Sequence, residues 1–250
     1  MNFNEALDAF KKHQQIMAAY NHVMGVTFLD AATAAPKGSY TGRGQTMGVL
    51  SQITYDLTAD PRNGNILETL EAHLEDLDPQ TRREVEVARK SYDQLKRIPS
   101  EEYVAYSVML NEAEAVWEKA KNASDFALFA PFLEQIVAFN KKFAHYYNPD
   151  MAPYDALLNE YEEGLNMQTL DAFFAQLRGV IVPLVERISK VKQIDYSFLY
   201  RHYPVEAQRK FSDYLMEVMG LDRLYCGIAE SEHPFTTNFN NHVVRITTHY

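Results

Sequence analysis

Helical periodicity runs through most of this chain, and it limits the possible folds more than any other feature of the sequence. The strongest pattern covers residues 167–192, where apolar side chains recur at steps of three and four, the spacing of one helix face. The residues of this stripe are Leu170, Phe173, Phe174, Leu177, Val180, Ile181, Leu184, Ile188 and Val191. Weaker patterns predict further helices at 4–24, 43–58, 61–76, 79–97, 100–121, 125–147 and 205–219. The pattern therefore predicts a mostly α-helical protein.

Two helix starts carry a clear capping signal. Asp78 precedes Pro79, and Asp60 precedes Pro61. An aspartate side chain can accept hydrogen bonds from the free amides of a first turn, and proline fits the first helical position because its missing N–H costs nothing there. No Pro/Gly/Ser-rich linker interrupts the chain, so we expect residues 1–250 to form a single helical domain.

The composition argues against several classes of protein. The 34 acidic residues outnumber the 24 basic ones, for a net charge of −10, which disfavours a nucleic-acid-binding surface. No apolar run is long enough to cross a membrane, and the N-terminus lacks the pattern of a signal peptide. With Cys226 as its one cysteine the chain cannot form an internal disulfide, so we expect a cytoplasmic location.

Common catalytic motifs are missing from the 250 residues. We find no H-E-x-x-H, C-x-x-C, G-x-S-x-G, P-loop or dinucleotide fingerprint. A metal site built from Glu232, His233 and His242 stays open beside the simpler interpretation that these histidines only form hydrogen bonds. Cys226 is interpreted as a buried structural cysteine, with a catalytic thiol as the alternative.

The last residues differ from the rest of the chain. Residues 239–250 are rich in Val, Ile, Thr and Tyr and predict a β-strand, or one arm of a hairpin. Side chains alternate along a strand, so Val243, Arg245, Thr247 and His249 share one face and the opposite face is expected to be core. An arginine on such a face suits the recognition of a carboxylate, and a solvent-facing strand edge is the alternative.

Five short motifs occur in series along the chain. The most specific are His233-Pro234-Phe235 and, after seven intervening residues, Val243-Val-Arg245-Ile-Thr247. They resemble the H-P-F and D-x-R-x-T motifs of the carboxypeptidase Taq family. The other matches are Phe28-Leu29-Asp30 with Pro36 and Arg43, Trp117 with Ser124-Asp125-Phe126, and Tyr154-Asp155-Ala156-Leu157-Leu158 with Tyr161-Glu162-Glu163-Gly164.

The resemblance implies a helical metallopeptidase scaffold with a deep groove. It also implies a zinc metallocarboxypeptidase that releases C-terminal residues from peptides with broad specificity, usually as a longer homodimer. In the family a zinc ion is held by the histidines of H-E-x-x-H and a later glutamate, and the motif's Glu is the general base. By the same resemblance His233 and Phe235 would shape the groove wall, and Arg245 and Thr247 would line the substrate site.

The sequence departs from the family pattern in two ways. It ends at Tyr250, before the zinc-binding helix, so no catalytic or metal residue can be transferred and no cofactor is expected in this chain. Val243 also replaces the motif's Asp, which removes a same-strand partner of Arg245. We therefore expect an apparently truncated N-terminal half that is inactive on its own.

Two interpretations of function stay open. One is the inactive half of a carboxypeptidase Taq-like enzyme, and the other is a non-catalytic helical binding or scaffold protein that keeps the groove wall. Peptide C-termini are the expected ligands in the first case and an optional one in the second. In both cases exposed apolar surface along 167–192 and along the terminal strand predicts a homodimer or larger self-association.

Overall fold

The fold is mostly α-helical, as the periodicity predicts. The computed structural model describes residues 1–250, apart from the side chain of Lys37. Within that part of the chain nine α-helices alternate with short connections: α1 Phe3–Thr33, α2 Tyr40–Ala59, α3 Pro61–Glu71, α4 Pro79–Leu95, α5 Ser100–Ala123, α6 Phe126–Tyr147, α7 Pro153–Tyr161, α8 Met167–Ser189 and α9 Val205–Val218. Every predicted helix is confirmed.

The structure differs from the predicted helices in the length of some and in one additional helix. Helix α1 continues to Thr33, beyond the predicted end at residue 24. Helix α7 was not predicted, because its nine residues give too short a window for a 3.6-residue period to stand out. The predicted cap at α4 is confirmed, since the Asp78 carboxylate accepts from the backbone N–H groups of Gln80 and Thr81.

Contacts divide the chain into two compact units. The first comprises residues 1–149 with 237–241, and the second comprises 150–236 with 242–250. The expectation of a single domain stays a prediction, because compactness does not show whether either unit folds alone. In the first unit, helices α1, α3 and α4 enclose a core of fully or nearly fully buried side chains: Ala6, Phe10, Leu67, Leu70, Leu77 and Val85.

Helices α2 and α5 also pack closely within the first unit. A Cβ on Gly48 would lie 3.1 Å from the Val108 side chain, so the backbone of α2 approaches α5 tightly. The Ser51 and Ser107 hydroxyls are 2.7 Å apart across the same contact. Burial raises the pKa of Glu114 on α5 above its ordinary value, while the Arg43 guanidinium acts in the opposite direction.

A small sheet lies near the end of the chain. It consists of β1 Cys226–Glu230, β2 Thr236–Asn238 and β3 Val244–Thr248, in the order β1-β3-β2. The predicted terminal strand is confirmed as β3. Its pairing with β1 is parallel, with Gly227 opposite Arg245, and β1 was not predicted. Because a parallel partner is separated by a crossover, the local sequence of β3 does not indicate it.

The second unit buries few side chains. Among its described residues only Ala156, Met216, Cys226, Ser231 and Thr247 are buried. Helix α8 buries none of its residues, although it carries the strongest apolar stripe in the sequence. Large apolar side chains such as Val180 and Val185 are more than half exposed. This surface is far more apolar than a helix in contact with water on all sides normally shows.

The helices were compared with the length and hydropathy of a membrane span. Across the described helices, none combines the length and the apolar character that a membrane crossing requires. The cytoplasmic location stays a prediction.

Candidate functional site

A buried threonine of β3 forms hydrogen bonds with the H-P-F segment. The backbone N–H of Phe235 donates to Thr247 Oγ1 at 2.8 Å, and the N–H of Thr247 donates to the carbonyl oxygen of Phe235 at 2.8 Å. Thr247 is 3% exposed, so these bonds are shielded from water. The arrangement fixes the backbone at the end of the H-P-F motif relative to the strand that carries Arg245.

The Ser231 hydroxyl joins the same hydrogen-bond network. Ser231 Oγ lies 2.7 Å from Thr247 Oγ1 and 2.9 Å from the carbonyl oxygen of His233. The Ser231 backbone N–H donates to the carbonyl oxygen of Thr248 at 2.9 Å. We call Ser231, Thr247 and the backbone of residues 231–235 the hydroxyl clamp. Buried polar groups that satisfy one another in this way hold a loop in one conformation.

The burial of side chains on the two faces of the terminal strand differs from the expectation. The face with Val244, Ile246 and Thr248 was expected to be the core, but those three residues are only half-buried. Thr247, on the other face, is the buried residue of β3. The reason is that the Thr247 hydroxyl pairs with polar groups of the H-P-F segment, which a hydrophobic pattern cannot reveal.

Arg245 lies two residues before Thr247 on the same face of β3. Its side chain is half-buried, and its Nη1 donates to the carbonyl oxygen of Val244 at 3.3 Å. Within the described part of the chain no carboxylate forms an ion pair with this guanidinium. Guanidinium groups bind carboxylates through two parallel hydrogen bonds.

The remaining residues of the predicted site have different exposures. The His233 side chain is exposed and Phe235 is half-buried. The His249 Nδ1 lies 3.0 Å from the carbonyl oxygen of Ser231. Since a carbonyl oxygen only accepts, Nδ1 carries the proton of this bond, which ties the end of the chain to the clamp.

The residues present do not form a complete zinc site. Over residues 1–250, the Lys37 side chain aside, no three His, Cys, Asp or Glu side chains come together so that they could hold a metal ion. Glu232, His233 and His242 are thus not gathered into one cluster. We therefore derive no catalytic step through zinc in this chain.

The structure brings together residues that the sequence had separated. Arg245, Thr247 and Phe235 lie around one strand and the adjoining turn, and their role in a substrate site stays a prediction, while Gly227 and Ser231 were not predicted to belong there. Ser231 lies only two residues before His233, so its proximity in sequence was one available signal. Gly227 gave none, because its proximity to Arg245 depends on the pairing of β1 with β3.

The fold and the site agree with the resemblance seen in the sequence. A mostly helical scaffold carries a strand-bound turn with the H-P-F sequence beside Arg245, for which the described residues supply no carboxylate ion pair. The sequence profile of the family described as Carboxypeptidase Taq (M32) metallopeptidase matches residues 9–250. The chain belongs to this family.

Curated relatives and solved structures agree with this assignment. Carboxypeptidase 1 of Bacillus subtilis (strain 168) is 36% identical over 92% of this chain, and Thermostable carboxypeptidase 1 of Thermus thermophilus is 34% identical over 88%. The BsuCP crystal structure superposes with a TM-score of 0.94 at 34% identity, over 98% of this chain. A Pyrococcus furiosus carboxypeptidase gives a TM-score of 0.83 at 27% identity, also over 98%.

The match covers only part of each relative. This chain spans 46% of both curated relatives named above and 50% of each of the two solved chains. It thus spans about half the length of the curated relatives it matches. The activity of the whole proteins belongs to the proposal that follows.

Proposed function

We propose that this chain forms one wall of the peptide groove of a zinc metallocarboxypeptidase that releases C-terminal residues from peptides with broad specificity. The observation that carries the proposal is the Arg245 guanidinium, which is half-buried and forms no ion pair with any carboxylate that the structure describes. Arg245 binds the terminal carboxylate of a peptide. His233 and Phe235 shape the groove wall, and Thr247 holds that wall in place through the hydroxyl clamp.

Zinc would supply the hydrolytic chemistry by polarising the scissile carbonyl and by lowering the pKa of a water molecule. The residues that hold it in the family, and the general base, are not among these 250 residues. The contribution of this chain is to bind and orient the peptide. Orientation alone leaves most of the rate enhancement of such an enzyme missing, so we propose that the chain on its own is inactive.

The first prediction concerns turnover. The purified 250-residue chain supplied with zinc should hydrolyse a C-terminal peptide bond no faster than a zinc-only blank, because its side chains form no complete metal site. The measurement is release of a C-terminal amino acid from a short peptide, with and without a chelator. Hydrolysis by the chain that the chelator abolishes would contradict the proposed inactivity.

The second prediction concerns peptide binding. Arg245→Ala should weaken binding of a short peptide with a free C-terminus by roughly 10- to 100-fold, because a charge-assisted hydrogen bond contributes about 1.5–3 kcal/mol. Binding of the amidated peptide should hardly change. Titration calorimetry measures both, and Arg201→Ala, which removes an exposed arginine elsewhere, is the matched control. Equal affinity of the unmodified chain for the two peptides would oppose the role of Arg245.

The second candidate function is that of a non-catalytic binding or scaffold protein. The specific observation that favours it is Val243, which stands where the family motif has Asp. A relaxed site of this kind would bind peptides without regard to the terminal carboxylate, or not at all. The same pair of titrations distinguishes it from the first proposal.

We also propose that the chain self-associates, as a homodimer or larger assembly. The exposed apolar surface of α8 supports this, since burying such surface is the main driving force of association.

A further inference from the structure

Gly227 lies directly opposite Arg245 in the parallel pair of β1 and β3. A Cβ placed on Gly227 would lie 2.8 Å from Arg245 Cδ, 3.1 Å from Nε and 3.4 Å from Cζ. These distances are shorter than the roughly 3.5–4.0 Å of ordinary carbon contacts. The Arg245 side chain therefore runs across the backbone of Gly227 and occupies the space that any other residue would fill.

We infer that Gly227 is a positioning residue for Arg245, and that its missing Cβ determines where the guanidinium is presented. The further step, that the guanidinium is presented to a peptide's terminal carboxylate, rests on the proposed function. A glycine inside a strand costs stability because it has no side chain to pack and more backbone freedom to lose. At this position the close approach of the Arg245 side chain gives a physical reason for that cost.

Strain in the backbone is not the reason for glycine here. The φ angles of Gly164 and Gly220 lie in the left-handed region, whereas that of Gly227 does not. Alanine can adopt the backbone conformation of residue 227, so its effect must come from the contact with the arginine. The atoms contacted are Cδ of Arg245 and the Nε and Cζ atoms of its guanidinium, so relief of the contact requires the guanidinium to move.

The test is Gly227→Ala, with Gly179→Ala as the matched control. Gly179 is in the same unit, and a Cβ there would meet nothing within 4 Å. The first measurement is the NMR resonance of the Arg245 Nε–Hε group, assigned by its loss in Arg245→Lys. Gly227→Ala should shift this resonance and Gly179→Ala should not. An unshifted resonance in Gly227→Ala overturns the inference, whatever the peptide data show.

The second measurement is the preference for a free over an amidated peptide. Gly227→Ala should reduce that preference about 10-fold, whereas Gly179→Ala should leave it unchanged. In an Arg245→Ala background the Gly227 substitution should have no further effect on this preference. The effects of two substitutions that act through one contact do not add. A 10-fold loss that persists in that background overturns the inference. If the unmodified chain shows no preference, the proposed function fails, and the NMR result alone decides the role of Gly227.

A folding defect in Gly227→Ala would still be informative. Removing the Arg245 side chain removes the atoms that the new Cβ meets, so the double variant Gly227→Ala with Arg245→Ala should fold as well as Arg245→Ala alone. Thermal unfolding measures this. Equal destabilisation by Gly227→Ala in both backgrounds would show that the glycine serves the strand rather than the arginine.

Discussion

Replacing Ile181 and Val185 of α8 by glutamate should weaken the proposed self-association of the chain. The two side chains are 43% and 55% exposed and lie one helical turn apart, so they belong to the same apolar surface. Burying a large aliphatic side chain contributes about 1.5–3 kcal/mol. Allowing for partial burial in an interface, losing two should raise the dissociation constant of a dimer by at least roughly 100-fold. Light scattering across a concentration series at micromolar chain measures the change.

A charge-matched control separates this effect from general repulsion. Gln168→Glu with Gln176→Glu adds the same two negative charges at exposed polar positions of α8 and should leave the association state as it was. Two outcomes count against association through this helix. One is a monodisperse monomer for the unmodified chain at micromolar concentration, and the other is an equal response to both pairs of substitutions.

Thr247→Val should loosen the H-P-F segment selectively. Valine has nearly the shape of threonine but cannot accept the hydrogen bond from the Phe235 N–H, and it leaves Ser231 without its hydroxyl partner. An unsatisfied donor of this kind costs about 1–3 kcal/mol, so hydrogen exchange at the Phe235 amide should accelerate by roughly 5- to 150-fold. Thr247→Ser keeps the hydroxyl and should retain most of the protection.

The exchange measurement also shows whether the clamp acts locally. Amides in the core of the first unit, such as that of Leu67, should exchange equally in all three proteins, because Leu67 is buried among side chains from the N-terminal 85 residues of the chain. If Thr247→Val accelerates Leu67 and Phe235 alike, the substitution destabilises the chain as a whole. If it accelerates neither, the hydroxyl clamp does not hold the turn.

The motifs indicated that the H-P-F segment and the terminal strand belong to one site, which stays a prediction; the structure shows that the two segments are hydrogen-bonded to each other. His233-Pro234-Phe235 and the Arg245 and Thr247 positions are close in sequence, so short-range proximity alone made a shared site plausible. The buried state of Thr247 was not predicted. The sequence around a threonine with Val and Ile neighbours on a strand does not indicate which groups its hydroxyl will hydrogen-bond. The position of Gly227 required knowledge of a strand pair that crosses nearly twenty residues.

Eight of the nine helices and the family could be predicted from the sequence, because both depend on local or serial patterns of residues. Apolar residues at steps of three and four define a helix face, and an aspartate before a proline defines a helix start, whatever surrounds them. Three features could not be predicted from the sequence: β1 pairs in parallel with β3, Thr247 is buried among polar groups, and Arg245 lies over Gly227. Those features depend on contacts between segments distant along the chain, and the local periodicity of each segment is compatible with many such pairings.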